Sequence, residues 1–223
     1  MMKRLSALAM ALLVLALHVT ALAQDEEEER DLLEVCFYGG LGMPTGGISD
    51  FHDSLGAKTG WSFGVDMGYF VKYNLVVGVN FVFTQFGVDA VNAANEPTEA
   101  DGTHHRLYNP NLYAKYYFVG ESNFEPYVKA HVGIENAKFM TGRVMPTPHY
   151  WATSYDPVLA YGVGAGVFLY SSDYSGLFVE ANYHMARSKD AEREYADETL
   201  VFGENLAVLD IHAGIRILIG SGD

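Results

Sequence analysis

The stretch "YGVGAGVFLY" runs from Tyr161 to Tyr170 and sets Gly162, Gly164 and Gly166 at alternate positions. Two periods compete for it. On a helix, Gly162 and Gly166 would form G-x-x-x-G, the small-residue seam of paired membrane helices. On a strand, the three glycines share one face, and Tyr161, Val163, Ala165, Val167 and Leu169 share the other. Extended back to Val158, the apolar run holds 13 residues between Pro157 and Ser171. A spanning helix needs about 20. The helical reading fails on length and the strand reading stands.

The same alternation recurs along the chain. Val35, Phe37, Gly39 and Leu41 alternate with Cys36, Tyr38 and Gly40. In "WSFGVDMGYFV" Trp61, Phe63, Val65, Met67, Tyr69 and Val71 oppose Ser62, Gly64, Asp66 and Gly68. "LVVGVNFVF" (75–83), "NLYAKYYF" (111–118), "YVKAHVGIE" (127–135), "LFVEANYHM" (177–185) and "LDIHAGIRI" (209–217) follow the same rule. With the glycine stretch these make eight period-2 segments, each reading as a half-buried strand. Connections near 72–74, 120–125 and 171–175 are short, and those near 43–59, 87–105, 138–156 and 187–205 are long and polar. Strict alternation of short and long connections is the pattern of an up-and-down barrel of outer-membrane type. The fold class expected is therefore all-β: an eight-stranded antiparallel up-and-down transmembrane β-barrel.

Glycine decides which face is wet. Gly64, Gly68, Gly78, Gly133, Gly162, Gly164, Gly166 and Gly214 all fall on the polar face. Glycine is a poor solvent-facing strand residue, but it suits the crowded interior of a small barrel, where large and small side chains must fit together. The apolar face is nearly free of charge, as a lipid face should be. Tyr69, Tyr73, Tyr116, Phe118, Tyr127, Tyr170 and Tyr174 lie near the short-turn ends and are expected to form an interfacial girdle. A soluble periplasmic barrel that binds a lipid inside would invert the two faces.

The N-terminus "MMKRLSALAMALLVLALHVTALAQ" carries Lys3 and Arg4, an apolar core, and an Ala21-Leu22-Ala23 cleavage site. It reads as a secretory signal peptide over residues 1–23. An acidic leader follows over 24–32, then a barrel domain over 33–223. Losing the signal takes the net charge from −14 to −16, which argues against nucleic acid as a partner. The single cysteine, Cys36, excludes an internal disulfide. It shares the inward parity and is expected to be a small buried residue.

The first strand "FYGGLGMPTGG", the "PNLYAKYYF" and "EPYVKAHVGIE" hairpin, the glycine strand, and the "GLFVEANYHMA" and "LDIHAGIRI" pair together resemble the bacterial outer-membrane barrels of OmpA-like and OmpW-like type. The resemblance covers essentially the whole mature chain. It implies an integral protein of the outer membrane of a Gram-negative-type bacterium. Its partners would then be outer-membrane lipid and lipopolysaccharide, together with the barrel assembly machinery. Members variously stabilise the envelope, bind surface molecules or pass small solutes, and the resemblance does not select among these. The chain ends "IRILIGSGD" without the terminal aromatic common in such proteins, and no peptidoglycan-binding domain is expected after it.

The polar residues expected in the lumen are Asp66, Lys115, Lys129, His131, Glu180, His184, Asp210, His212 and Arg216, with Gly162, Gly164 and Gly166 leaving room for bulkier neighbours such as Phe178, Lys129 or His131. Charges in so narrow a space must pair or stay hydrated. Glu180 is expected to pair with Arg216 or Lys115, forming a structural ion-paired plug; the alternative is a gated, narrow porin-like channel for small solutes. His52 with Ser54, and His184 with Ser188, offer residue types for acyl hydrolysis but no motif, so no enzyme is expected. His104-His105 lacks a third ligand, so neither a metal nor another cofactor is expected. The long loops, with Tyr150, Trp151 and Tyr155 in the third, are the candidates for binding a surface ligand.

Overall fold

The computed structural model describes residues 32–46, 57–88, 90–91, 97–98, 104–118, 123–141, 151–154, 156–187, 191–195, 198–202 and 205–220. The expected signal peptide and nearly all of the acidic leader lie outside these residues, as do His52, Ser54, Tyr150, Tyr155 and Ser188.

Among the described residues, eight long strands form the wall: β1 Leu33–Pro44, β2 Ala57–Lys72, β3 Leu75–Val88, β4 His104–Tyr117, β5 Phe124–Thr141, β6 Val158–Ser172, β7 Ser175–Arg187 and β8 Asn205–Ile219. Each pairs antiparallel with its chain neighbour, and β1 pairs with β8, so the sheet closes. Closure removes every sheet edge, which hydrocarbon demands of a spanning sheet. Short strands at Ala90–Val91 with Pro97–Thr98, and at Ala191–Tyr195 with Glu198–Phe202, form two-stranded ribbons of their own. Trp151–Ser154 extends the ladder beside the end of β5.

The register fixes the strand tilt. Cys36 opposes Arg216 on one side; on the other, the row runs through Asp66, Asn80, Asn111, Gly133, Ala160 and Ala186 to Leu206. The row returns to β8 ten residues from where it left. That stagger, with a rise of about 3.3 Å per residue and strands about 4.8 Å apart, corresponds to a tilt of roughly 40°.

The two faces divide as alternation demands. Phe37, Leu41, Met67, Val79, Leu112, Val163, Leu177 and Ile211 are exposed on the outer wall, Val163 at 63%. Cys36, Asp66, Lys115, Lys129, Glu180 and Arg216 are buried inside. This is the reverse of a soluble barrel and matches an outer wall facing lipid. Tyr69, Tyr73, Tyr116, Phe118 and Tyr174 are exposed near the short turns. Tyr127 and Tyr170 depart from the expected girdle. Tyr127 is buried in the lumen, because its neighbour Val128 takes the outward position, and Tyr170 turns its hydroxyl onto Glu125.

Candidate functional site

The site is the lumen, built in layers from the short-turn end. The floor is aromatic. Phe70 stacks on Tyr117 at 6.0 Å, and Tyr117 tilts against Tyr127 at 5.2 Å. Phe168, Val76 and Leu218 belong to the same cluster. Arg216 lies flat on it, its guanidinium carbon 3.4 Å from the Phe168 ring centre and 4.8 Å from that of Tyr117. A planar cation can stack on rings in this way while still donating from its edge.

Two linked ionic groups sit on that floor. Glu34 is fully buried and accepts from Lys115 Nζ at 2.7 Å and from the Tyr117 hydroxyl, with Arg216 Nη1 at 3.5 Å. Asp66 accepts from Lys129 Nζ and from the Tyr38 hydroxyl, both at 2.8 Å, and lies 3.6 Å from Lys115. Lys129 also reaches Glu180 at 3.3 Å, and Asn182 donates to the same carboxylate. Glu125 faces Arg216 at 3.8 Å and accepts from Tyr170 at 2.6 Å. Buried charges are tolerated when each is paired and its remaining lone pairs are met, and this layer comes close to that.

The lumen above is rich in imidazole. His184 sits between Glu135 at 3.1 Å and Asp210 at 3.2 Å, one through each ring nitrogen. His131 lies beside it, ring centres 6.4 Å apart. His212 Nε2 meets Ser62 Oγ at 2.6 Å, and Asp210 Oδ1 lies 4.0 Å from the same nitrogen. A serine-activating relay needs the carboxylate on the other nitrogen. Here, among the described residues, His212 Nδ1 has no hydrogen-bond partner, so the three residues are in contact without the geometry of a relay.

The nine polar residues expected from the sequence are all buried, and the register sorts them. Lys115 and Lys129 oppose each other across β4 and β5. Glu180 opposes His212, while Arg216 opposes Gly176, four residues further along β8. The expected pairing of Glu180 with Arg216 or Lys115 is therefore incorrect, and Lys129 is its partner. Gly164 on β6 lies opposite Lys129 and Asn182, and Gly166 opposite Tyr127 and Glu180. With no side chain on β6 at these levels, β5 and β7 meet across it. A Cβ on Gly162, Gly164 or Gly166 would come within 2.5 Å of His131, Asn182 and Tyr127 respectively. Of the neighbours expected to fill that space, His131 does, whereas Phe178 packs near Gly214 instead. His104 and His105 take opposite faces of β4, His105 inward and buried, so they cannot share an ion.

Glu34 and Glu125 are the acids the sequence reading missed; Glu135 has the inward parity of Lys129 and His131 that the alternation assigns it, and it joins the cluster although it was not among the residues expected there. Glu34 has the same parity as Cys36, which was the available signal. It was hidden because it continues the acidic run that precedes β1. Tyr38, Tyr113 and Tyr117, which the alternation already sets on the inward face, also belong to the network through their hydroxyls.

The model of the outer membrane protein beta-barrel domain matches residues 9–203. No curated protein matches the chain by sequence. Among solved structures, Neisserial surface protein A is similar at 17% identity and a TM-score of 0.57, covering 86% of this chain and 99% of that one. Outer membrane protein OprG from Pseudomonas aeruginosa aligns at 14% identity and TM-score 0.50, covering 88% of this chain and 100% of its own. The outer membrane protease OmpT from Escherichia coli aligns at 10% identity and TM-score 0.50, with the same coverage. At these identities the likeness concerns the fold alone, and the neighbours' roles differ from one another.

Proposed function

Given that the chain belongs to the outer membrane protein beta-barrel family and resides in the bacterial outer membrane, we propose that it is a sealed, non-enzymatic barrel whose role is structural or surface-binding. Residues 1–23 would be removed on export, and 33–223 would form the working domain. The barrel would hold its long external loops as the surface that meets a ligand. Lipid and lipopolysaccharide surround its wall, and the barrel assembly machinery would insert it. The observation that carries the reading is the continuous layer of Glu34, Lys115, Asp66, Lys129 and Glu180 above Arg216 and the Phe70–Tyr117–Phe168 floor. The interior of eight strands is only wide enough for side chains, and here large ones fill it. The contact of Ser62, Asp210 and His212 through one nitrogen supports the absence of hydrolytic chemistry at that level.

The test is conductance in planar bilayers. The intact barrel is expected to give no channel steps. Stable unitary steps would replace this reading with that of a narrow conduit for small solutes. The upper lumen, where Asn109 Oδ1, Glu135 Oε1 and His212 Nδ1 have no hydrogen-bond partner among the described residues, is the part of the structure that favours a conduit.

A further inference from the structure

The outer wall between its two aromatic levels is almost uncharged. The outward positions of β1 from Leu33 to Met43, β6 from Leu159 to Leu169, β7 from Leu177 to Met185 and β8 from Leu209 to Ile219 carry no charge. One sector differs. Arg106 on β4 and Lys138 on β5 both face outward and oppose each other directly in the ladder. Like charges in directly opposed positions destabilise a sheet. Among the described residues no carboxylate pairs with either.

Both cations are held in place from the side. Arg106 Nε donates to Gln85 Oε1 at 3.0 Å, which orients its guanidinium fork. Lys138 Nζ lies over the Tyr108 ring at 5.5 Å. Beneath them lies an aromatic patch of the outer wall. Trp61 stacks on Phe63 at 5.8 Å, Phe63 meets Phe83 at 5.2 Å, and Phe83 meets Tyr108 at 5.1 Å.

Depth places this group at one membrane surface. Arg106 lies ten residues from Tyr116, the girdle residue at the short-turn end of β4. At about 3.3 Å per residue and a tilt of roughly 40°, that is about 25 Å along the membrane normal, the height of the apolar band of such barrels. The pair therefore sits where the apolar band ends on the long-loop side, the outer leaflet. There a fork and an ammonium, both pre-oriented, match a phosphate ester, and the aromatic patch matches acyl chains descending from it.

We infer that Arg106 and Lys138 form a clamp for the phosphate of an outer-leaflet glycolipid of the lipid A type, seated on the Trp61–Phe63–Phe83–Tyr108 patch. The anion relieves the repulsion between the two cations, which explains why an acidic chain keeps them face to face. The inference concerns the outer wall and stands whether or not the lumen conducts.

The test uses the full chain purified from outer membranes in detergent, with lipid retention read by native mass spectrometry. The probes are hexa-acyl bisphosphoryl lipid A, the same lipid after dephosphorylation, and inorganic phosphate. Bisphosphoryl lipid A is expected to be retained at least tenfold more than the dephosphorylated lipid. The Arg106→Gln/Lys138→Gln variant is expected to lose that tenfold preference, while Lys72→Gln, at the short-turn end, keeps it. Heat-modifiable gel mobility reports folding; if the double variant misfolds, the single variants Arg106→Gln and Lys138→Gln are each expected to lose about threefold. Equal retention of the two lipids, or equal retention by wild type and the folded variants, overturns the clamp. Displacement of lipid A by inorganic phosphate at equal phosphate concentration also overturns it, in favour of a free-anion site.

Discussion

Replacing Glu34 with Gln removes the charge that Lys115 and Arg216 share while keeping the shape of the side chain. Glu34 is fully buried, with Lys115 Nζ at 2.7 Å and Arg216 Nη1 at 3.5 Å. Breaking a buried pair from one side costs about 3–5 kcal/mol, because the partner is left charged and dry. Asp66 at 3.6 Å from Lys115 and Glu125 at 3.8 Å from Arg216 still offset part of that charge. The expected cost is therefore at the lower end, about 3 kcal/mol. With a urea dependence of about 1–3 kcal/mol per molar, the unfolding midpoint falls by about 1–3 M. The assay is urea unfolding of the refolded barrel in lipid vesicles, followed by tryptophan fluorescence and heat-modifiable mobility. A Glu34 exposed at the barrel mouth would contribute only about 0–1 kcal/mol, so the magnitude separates the two arrangements. Adding Lys115→Met to Glu34→Gln is expected to cost at least about 1.5 kcal/mol less than the two single changes combined. A midpoint shift below about 0.3 M for Glu34→Gln, with no coupling to Lys115, would refute a buried network centred on Glu34.

Other expectations follow from the packing. Gly166→Ala puts a Cβ 2.5 Å from the Tyr127 ring and 2.7 Å from the Val179 carbonyl oxygen, so it should destabilise the barrel by about 1–3 kcal/mol in the same urea assay. Gly164→Trp should prevent closure, leaving the protein in the unfolded position on a cold gel, whereas Val163→Leu on the 63% exposed outer face should be silent. Cys36, 1% exposed and inward, should resist a water-soluble maleimide in the folded barrel and react fully after heating; rapid labelling before heating would mean water reaches the floor of the lumen.

The barrel itself was legible because alternation is a local property. Val163 and Gly164 reveal their faces to anyone counting by twos, and the seam from Trp61 to Tyr69 does so just as clearly. Partnership inside the lumen was not legible, because it depends on the stagger. Counting from the short turns puts Glu180 and Arg216 at similar heights, but the ladder sets Glu180 against His212. The ten-residue stagger is a global quantity that no single strand encodes. Glu34 was obscured for another reason: an acid close behind an acidic run looks solvated, and its shared parity with Cys36 gains weight only once β1 closes against β8, where Glu34 opposes Leu218 and is buried.

The bare inner face of β6 has a consequence for how this interior can change over time. Where Gly164 and Gly166 stand, the wall contributes backbone and nothing else, so Lys129 and Glu180 meet although a whole strand separates them. At this level β6 adds nothing to the contents of the lumen. Substitutions on β5 and β7 are thereby bound to one another as though the two strands were neighbours. A larger residue on β6 would divide one shared compartment into two, each requiring its own balance of size and charge.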